Sequence, residues 1–174
     1  MRIAWICLDM LGYGHNKNII PIPIRHMARI EMLREYLANT TNSWNYITPV
    51  DFYTNYYATR DKSTKSTKST KSTQYVLIDL RDRVAYKKMH IKGAKNIYWM
   101  DILDEKNIKK LPKNKPIFLI CYVGHTSSQV LCLLRLLGYN AISIKYGYGR
   151  SPVKGVPVAG WLDYGLPVIR GMCD

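Results

Sequence analysis

The segment LICYVGHTSSQ (Leu119–Gln129) places one cysteine, Cys121, between an apolar run and a turn rich in Gly, His, Thr and Ser. The run PIFLICY is apolar on both faces, as in a buried strand of a parallel sheet. The following SSQVLCLLRLLGYN predicts a helix that starts near Thr126 or Ser127 and is closed by Gly138 at the C′ position. Cys121 is therefore predicted to lie at the carboxyl end of a central strand, where open α/β sheets bind ligands.

The chain from Gln74 onward alternates short apolar strands with helical segments. Strands are predicted at YVLIDL, AKNIYW, PIFLICY and AISIKY, and this alternation favours an α/β fold with a parallel sheet. An earlier helix is predicted at TPVDFYTNYY, because Thr48 can cap it, Pro49 suits its first position and Asp51 lies at the capping-box position. We expect one domain over residues 43–170.

Two segments fall outside this pattern. Residues 1–42 are predicted to be an N-terminal extension, in which HMARIEMLREYLAN has the apolar spacing of an amphipathic helix that packs on the protein. The run KSTKSTKSTKST, residues 62–73, has no apolar residue and predicts a solvated insert within the domain. No nucleic-acid role is expected for the insert, because it lacks interleaved aromatic residues.

The cysteines and the charge limit the class of protein. The four cysteines form neither a C-x-x-C pair nor a metal-ligand spacing, so we expect reduced thiols and neither a metal nor an organic cofactor. The net charge of +14 indicates an anionic partner or substrate without identifying it. No apolar run is long enough to predict a membrane span. We expect a cytoplasmic protein, and Arg2 before an apolar stretch leaves a secreted or periplasmic location open.

The turn after Cys121 predicts a reactive thiol, with a buried structural thiol as the alternative. A turn that leads into a helix start directs several backbone N–H groups at one point, and Gly124 lets the chain turn without a Cβ clash. Such hydrogen bonds favour the thiolate, which is the nucleophilic form of cysteine. The arrangement suits nucleophilic chemistry on sulfur, phosphorus or arsenic.

The loop CYVGHT (Cys121–Thr126) resembles the active-site loop C-x-x-G-x-T of the rhodanese family. The segment LIDLRDRVAYKKMHIKGAKNI resembles the family's N-terminal signature D-x-R-x-x-x-E-[YF]-x-x-G-H-I-x-G-A-x-N-I. WLDYGLPV is similar to its C-terminal W-x-x-x-G-L-P-V, and LLRLLGYNAISIKYG to its segment from helix to last strand. The matching signature positions are Asp79, Arg81, Tyr86, His90, Ile91, Gly93, Ala94, Asn96 and Ile97.

The resemblance implies a rhodanese-like α/β fold, with a central parallel β-sheet flanked by helices on both faces. It also implies a sulfurtransferase in which Cys121 takes sulfane sulfur from a small donor as a persulfide and passes it to a thiol or to cyanide, or to a sulfur-relay protein. Asp79, Arg81 and His90 are implied to support the site. The implied active-site loop comprises Tyr122, Val123, Gly124, His125, Thr126 and Ser127.

The departures from the family pattern define the alternatives. Many members carry a cation at the first, second or last loop position, whereas Tyr122, Val123 and Thr126 are neutral, so thiosulfate is not assigned as the donor. Met89 and Lys92 replace the usual Gly and Pro, which is expected to alter a turn. One alternative is a non-catalytic rhodanese-like binding module. Another is a phosphatase or arsenate reductase, whose loop is one residue longer and ends in Arg where this chain has Ser127.

Overall fold

The computed structural model describes residues 24–40, 44–59, 74–149 and 159–171. The chain divides into two compact units, Met1–Glu35 and Tyr36–Asp174. The predicted Lys-Ser-Thr insert lies outside the described residues. Three points stay predictions: the place of the insert in the domain, the division between residues 42 and 43, and the packing of the first helix.

A five-stranded parallel sheet forms the centre of the second unit. Its strand order is β1-β6-β5-β2-β4, and every neighbouring pair is parallel. The strands are β1 (Tyr46–Ile47), β2 (Val76–Asp79), β4 (Lys95–Asn96), β5 (Ile117–Ile120) and β6 (Ala141–Ile144). Two further strands, β3 (Met89–His90) and β7 (Ile169–Arg170), pair with each other in antiparallel orientation.

In the part of the chain that the structure describes, there are five α-helical segments, one π-helical turn and one 3-10 turn. The α-helices are α1 (Ile24–Ala38), α2 (Pro49–Phe52), α3 (Arg83–Lys88), α4 (Glu105–Ile108) and α5 (His125–Leu136). A π-helical turn spans Tyr53–Tyr57, and a 3-10 turn spans Trp99–Asp101. No helix of the described ranges is long and apolar enough to cross a membrane.

The two faces of the sheet bury separate apolar clusters. Side chains of successive strand residues point to opposite faces, so Ile117 and Leu119 join one cluster whereas Phe118 and Ile120 join the other. Helix α5 covers the first face and α2 contributes Phe52 to the second. This arrangement explains why PIFLICY is apolar throughout, and it confirms the predicted parallel sheet with helices on both faces.

The ends of two helices agree with the sequence-based predictions. Thr48 Oγ1 accepts the Asp51 N–H at 3.0 Å, which confirms Thr48 as the N-cap of α2. At the end of α5, Gly138 has φ +77°. Its N–H donates to Arg135 O at 2.9 Å, and the Tyr139 N–H donates to Leu134 O at 2.9 Å. This Schellman geometry confirms Gly138 as the C′ residue.

Three elements differ in extent from the predictions. Helix α5 begins at His125 instead of near Thr126 or Ser127. The segment TPVDFYTNYY is α-helical only over Pro49–Phe52 and continues as the π-helical turn. The strand predicted at AKNIYW is reduced to Lys95–Asn96, because β4 is an edge strand with a single neighbour.

Candidate active site

Cys121 directly follows β5, at the carboxyl end of the strand in the middle of the sheet. Its side chain is buried, with 2% of its surface exposed. Cys121 Sγ accepts hydrogen bonds from the Gly124 N–H at 3.2 Å and from the Ser127 N–H at 3.3 Å. The loop therefore wraps around the sulfur and directs two amide donors at it, which stabilises negative charge on that atom.

The loop lies against the chain segment that follows β6. The Tyr148 N–H donates to Cys121 O at 2.9 Å. A Cβ atom on Gly147 would lie 2.1 Å from Cys121 O, so only glycine allows this approach. Gly124 has φ +94°, and a Cβ there would lie 3.2 Å from Tyr146 N. Sequence analysis did not identify Gly147 as part of the site, although the run GYG at 147–149 is a glycine signal for close backbone approach.

Two buried hydroxyls, those of Ser127 and Ser143, form a hydrogen-bonded chain next to the Cys121 sulfur. Ser127 Oγ donates to Gly124 O at 3.0 Å and lies 3.4 Å from Cys121 Sγ. Ser143 Oγ in β6 donates to Ser127 Oγ at 2.8 Å. Ser127 and Ser143 are both fully buried. Sequence analysis did not identify Ser143. Its signal in the sequence is a serine at an inward-facing position of the strand AISI.

The outer residues of the loop face solvent. Tyr122, Val123 and His125 are exposed and Thr126 is half-buried. Tyr122 Oη donates to Asp82 Oδ2 at 2.5 Å. This bond raises the pKa of Tyr122 to about 12 and lowers the pKa of Asp82 below its usual value. Asp82, which sequence analysis also missed, thus ties the loop to α3.

Asp79 and Arg81 form a buried ion pair next to the site. Arg81 Nη2 lies 2.7 Å from Asp79 Oδ2, and it also donates to Met89 O at 2.6 Å. The guanidinium lies 3.6 Å from the centre of the Tyr148 ring. Burial alone would lower the pKa of Arg81, but the hydrogen bonds and charge of Asp79 outweigh it and raise that pKa. The pair joins β2 to the segment that supports the loop.

His90 has a structural position. Its Nδ1 is 2.9 Å from Tyr86 O, and its ring stacks on the Tyr86 ring with centroids 3.9 Å apart. The His90 side chain is buried in β3, and among the described residues it has no hydrogen bond or ring contact with Cys121 or its loop. The structure thus brings Cys121, Ser127, Tyr122 and Arg81 into one region, whereas His90 fixes the turn from α3 into β3.

A cavity of about 540 Å³ opens beside the loop. Tyr122 and Val123 line one side, and Arg81 and Lys88 line another. Over the described residues, no three His, Cys, Asp or Glu side chains are grouped as ligands for a metal ion.

Comparison with known proteins relates this site to a family. The sequence pattern of the family described as Rhodanese-like domain matches residues 62–149, half of the 174-residue chain. A tRNA sulfurtransferase of Pyrobaculum aerophilum is 39% identical over 70 residues, which make up 40% of this chain and 14% of that protein. The matched segment thus represents a small part of that relative's length.

Solved structures show the same fold. A protein from Bacillus halodurans has a TM-score of 0.52 at 20% identity, with 82% of this chain and 86% of that one covered. The rhodanese-like domain of an Anabaena protein has a TM-score of 0.50 at 22% identity, with 74% and 80% covered. The family match includes β2, β5, the Cys121 loop and α5. The chain therefore belongs to the rhodanese-like domain family.

Proposed function

We propose that this protein is a sulfurtransferase that carries sulfane sulfur as a persulfide on Cys121. The observation that carries the proposal is the pair of amide donors, Gly124 N–H and Ser127 N–H, within 3.3 Å of Cys121 Sγ. A thiolate is an effective nucleophile toward sulfur, and amide donors stabilise the additional charge of a persulfide. Family membership and the similarity to part of a sulfurtransferase support the same chemistry.

The reaction has two balanced displacements. In the first, the Cys121 thiolate attacks the sulfane sulfur of the donor. A Cys121 Sγ–S bond forms, the donor's bond to that sulfur breaks, and the leaving group departs with the electron pair. In the second, a thiolate or cyanide attacks the outer sulfur, the S–S bond breaks, and the electron pair returns to Cys121 Sγ. The donor and the acceptor are small molecules in this proposal, with a relay protein as a further acceptor class.

The loop composition argues against phosphate or arsenate chemistry. Position 127, where such enzymes carry the clamping Arg, is a fully buried Ser whose hydroxyl donates to Gly124 O. None of the residues 122–127 is Arg or Lys. A tetrahedral oxyanion in this loop would lack the bidentate partner that stabilises it.

Intact-protein mass spectrometry tests the proposal. The protein is incubated with thiosulfate, polysulfide or 3-mercaptopyruvate and compared with the Cys121→Ser and Cys132→Ser variants. Cys132 is the matched control, because it is an exposed free cysteine on α5. We expect the mass of one sulfur atom to be added to the native protein and to Cys132→Ser, and not to Cys121→Ser. No addition from any donor, with a Cys121 thiol that still reacts with iodoacetamide, would favour a non-catalytic binding module.

A further inference from the structure

The cavity beside the loop is distinct from the backbone turn that surrounds the Cys121 sulfur. Tyr122 and Val123 contribute to its wall, but Cys121, Gly124 and Ser127 do not. Its volume of about 540 Å³ is within the range of sites for small organic molecules. A group bound there would lie next to the loop without touching the sulfur.

The cavity has an excess of positive charge. Arg81, Lys88 and Arg170 line it, and Asp82 is the carboxylate among its lining residues. Both Asp82 oxygens are engaged, because Oδ1 accepts the Ala85 N–H at 2.9 Å and Oδ2 accepts the Tyr122 hydroxyl at 2.5 Å. Asp82 is therefore fixed in place. Among the described residues Lys88 and Arg170 have no ion-pair partner, whereas Arg81 is paired with Asp79.

Arg81 lines this cavity with a side chain whose guanidinium is paired with Asp79. Its side chain is 3% exposed, so it is held rigidly at the cavity wall. Nε and Nη2 donate to Asp79 and Met89 O. Within the described part of the chain, Nη1 has no hydrogen-bond partner. A guanidinium edge in this position can donate to a carboxylate.

One departure from the family signature removes a carboxylate from the wall of this cavity. The signature D-x-R-x-x-x-E-[YF] has Glu four residues after its Arg, and this chain has Ala85 there. Ala85 lines the cavity. The exchange removes a negative charge and the volume of a longer side chain from a wall that also contains Arg81.

We propose that this cavity binds the carboxylate of a small organic sulfur compound whose sulfur reaches Cys121. The inference rests on the proposed function for its role in turnover, although binding itself does not require it. The cations that the loop lacks are supplied by Lys88 and Arg170, and Arg81, whose charge is paired with Asp79, adds a hydrogen-bond donor. Because Cys121 does not line the cavity, the carboxylate and the reacting sulfur have to be joined by a carbon chain. Apolar groups for such a chain are present in Val84, Met89 and Leu162.

Equilibrium binding of an unreactive pair of probes tests the site. 3-(Methylthio)propionate and 3-(methylthio)propan-1-ol have the same chain, and only the first has a carboxylate. We expect the native protein to bind the acid about tenfold more tightly than the alcohol, as measured by calorimetry or NMR titration. The preference is expected to disappear in Lys88→Met/Arg170→Met. Equal affinity for the two probes in the native protein would overturn the proposal.

A matched control separates the cavity from the overall charge. Lys92→Met/Lys95→Met removes two exposed lysines that do not line the cavity. We expect this variant to keep the native preference for the acid. Loss of the preference to the same degree in both double variants would show that the net charge, and not the cavity, attracts the probe.

Restoring the signature carboxylate gives an independent test. Ala85→Glu is expected to abolish binding of the acid, whereas Ala85→Gln, which adds nearly the same volume without charge, is expected to weaken it less. Both residues are good helix formers, so α3 is expected to persist. Circular dichroism and thermal melting verify the fold. Native affinity in Ala85→Glu would contradict the assignment of the cavity.

The failure of this site and the failure of the proposed function are distinguishable. The thioether probes do not react with Cys121, so Cys121→Ser is expected to bind them as the native protein does. Acid-selective binding without sulfur loading would retain the cavity and reject the sulfurtransferase. Sulfur loading with equal binding of acid and alcohol would retain the sulfurtransferase and reject the carboxylate site in the cavity.

Turnover shows whether the cavity serves the donor or the acceptor. Faster discharge of the persulfide to 3-mercaptopropionate than to 3-mercaptopropan-1-ol assigns the cavity to the acceptor. Faster loading by 3-mercaptopyruvate than by mercaptoacetone assigns it to the donor. In this loading step the C–S bond breaks, and the carbon leaving group takes the electron pair and is then protonated. If the enzyme turns over and shows neither preference, the role of the cavity in turnover is overturned.

Discussion

Tyr122 Oη donates a hydrogen bond to Asp82 Oδ2, with 2.5 Å between the two oxygens. Asp82 is also the N-cap of α3, where its Oδ1 accepts the Ala85 N–H at 2.9 Å. One carboxylate therefore connects the loop that follows Cys121 to the helix that follows β2. Since the other exposed residues of the loop have no such side-chain hydrogen bond within the described ranges, this bond is expected to set the position of its outer edge.

The pKa shifts of the two residues define the pH range of this tether. The lowered pKa of Asp82 contributes stability above the ordinary aspartate value of about 3.9, and the contribution is lost as the pH falls through the lowered value. The raised pKa of Tyr122 contributes stability below the ordinary tyrosine value of about 10, and this is lost as the pH rises through about 12. The tether is thus expected to contribute its full stability from about pH 4 to pH 10.

Asp82→Asn tests the tether without removing the helix cap, because Asn caps as well as Asp. We expect the pKa of Tyr122 to fall from about 12 toward the ordinary value of about 10. NMR of ¹³C-labelled tyrosine measures it, and Tyr122→Phe assigns the signal. An unchanged Tyr122 titration in Asp82→Asn would mean that Asp82 does not cause the shift.

Three glycines with positive φ differ in the space around them, and this difference predicts their order of sensitivity. Gly138, with φ +77°, has nothing within 4 Å of an added Cβ, so Gly138→Ala is expected to cost about 1 kcal/mol from backbone strain alone. Gly147→Ala would place Cβ 2.1 Å from Cys121 O, and we expect a loss of at least about 3 kcal/mol. Gly124→Ala, with a nearest contact of 3.2 Å, is expected to lie between them.

Urea unfolding measures the free energy of unfolding of these variants, and the rate of Cys121 alkylation reports on the loop. Gly138→Ala is the matched control, since it has the same kind of backbone strain at the far end of α5. Its alkylation rate is expected to equal that of the native protein, whereas that of Gly147→Ala is expected to change. Equal losses of stability in all three variants would contradict the close approach at Cys121.

The parts of the fold that local patterns specify could be predicted from the sequence. PIFLICY is apolar throughout because both faces of β5 are covered. Gly138 ends α5 because the helix end needs a residue with positive φ, which is a local requirement. The short antiparallel pair of strands could not be predicted. β3 and β7 have two residues each, too few to show a period of two, and their pairing joins His90 to Ile169 across a long stretch of chain.

The same distinction applies to the candidate site. The position of Cys121 at the end of β5 follows from one continuous segment, LICYVGHTSSQ. Its supporting residues come from two other segments, Asp82 from one and Ser143 and Gly147 from the other, and only tertiary contacts bring them to the loop. A serine in a strand or an aspartate before a helix has a local explanation as well, so neither identifies the site without the fold.

The buried ion pair of Asp79 and Arg81 is expected to be costly to break. The Asp79 side chain is 0% exposed and the Arg81 side chain 3% exposed, so removal of either partner leaves a buried charge without its counterion. We expect Arg81→Met to lower the free energy of unfolding by about 3–5 kcal/mol. Asp79→Asn/Arg81→Met is expected to lose less than Arg81→Met alone, because it buries no unpaired carboxylate. A double variant that is less stable than both single variants would contradict this account.

The hydroxyls of Ser127 and Ser143 predict an asymmetric pair of single variants. Ser127→Ala leaves the buried Ser143 hydroxyl without the acceptor that it now has at 2.8 Å, so we expect a loss of about 1–3 kcal/mol. Ser143→Ala leaves Ser127 Oγ with its bond to Gly124 O, and the expected loss is about 0.5–1.5 kcal/mol.

The double variant Ser127→Ala/Ser143→Ala removes both hydroxyls and leaves neither unsatisfied. Its loss of stability is therefore expected to be smaller than the sum of the two single losses, and the difference measures the coupling between the hydroxyls. Urea unfolding of the native protein, the two single variants and the double variant completes the cycle. Sulfur loading is expected to slow in Ser127→Ala, whose side chain lies 3.4 Å from Cys121 Sγ, and to stay closer to native in Ser143→Ala. Additive stability losses with equal loading rates would show that the two serines act independently of each other and of the sulfur.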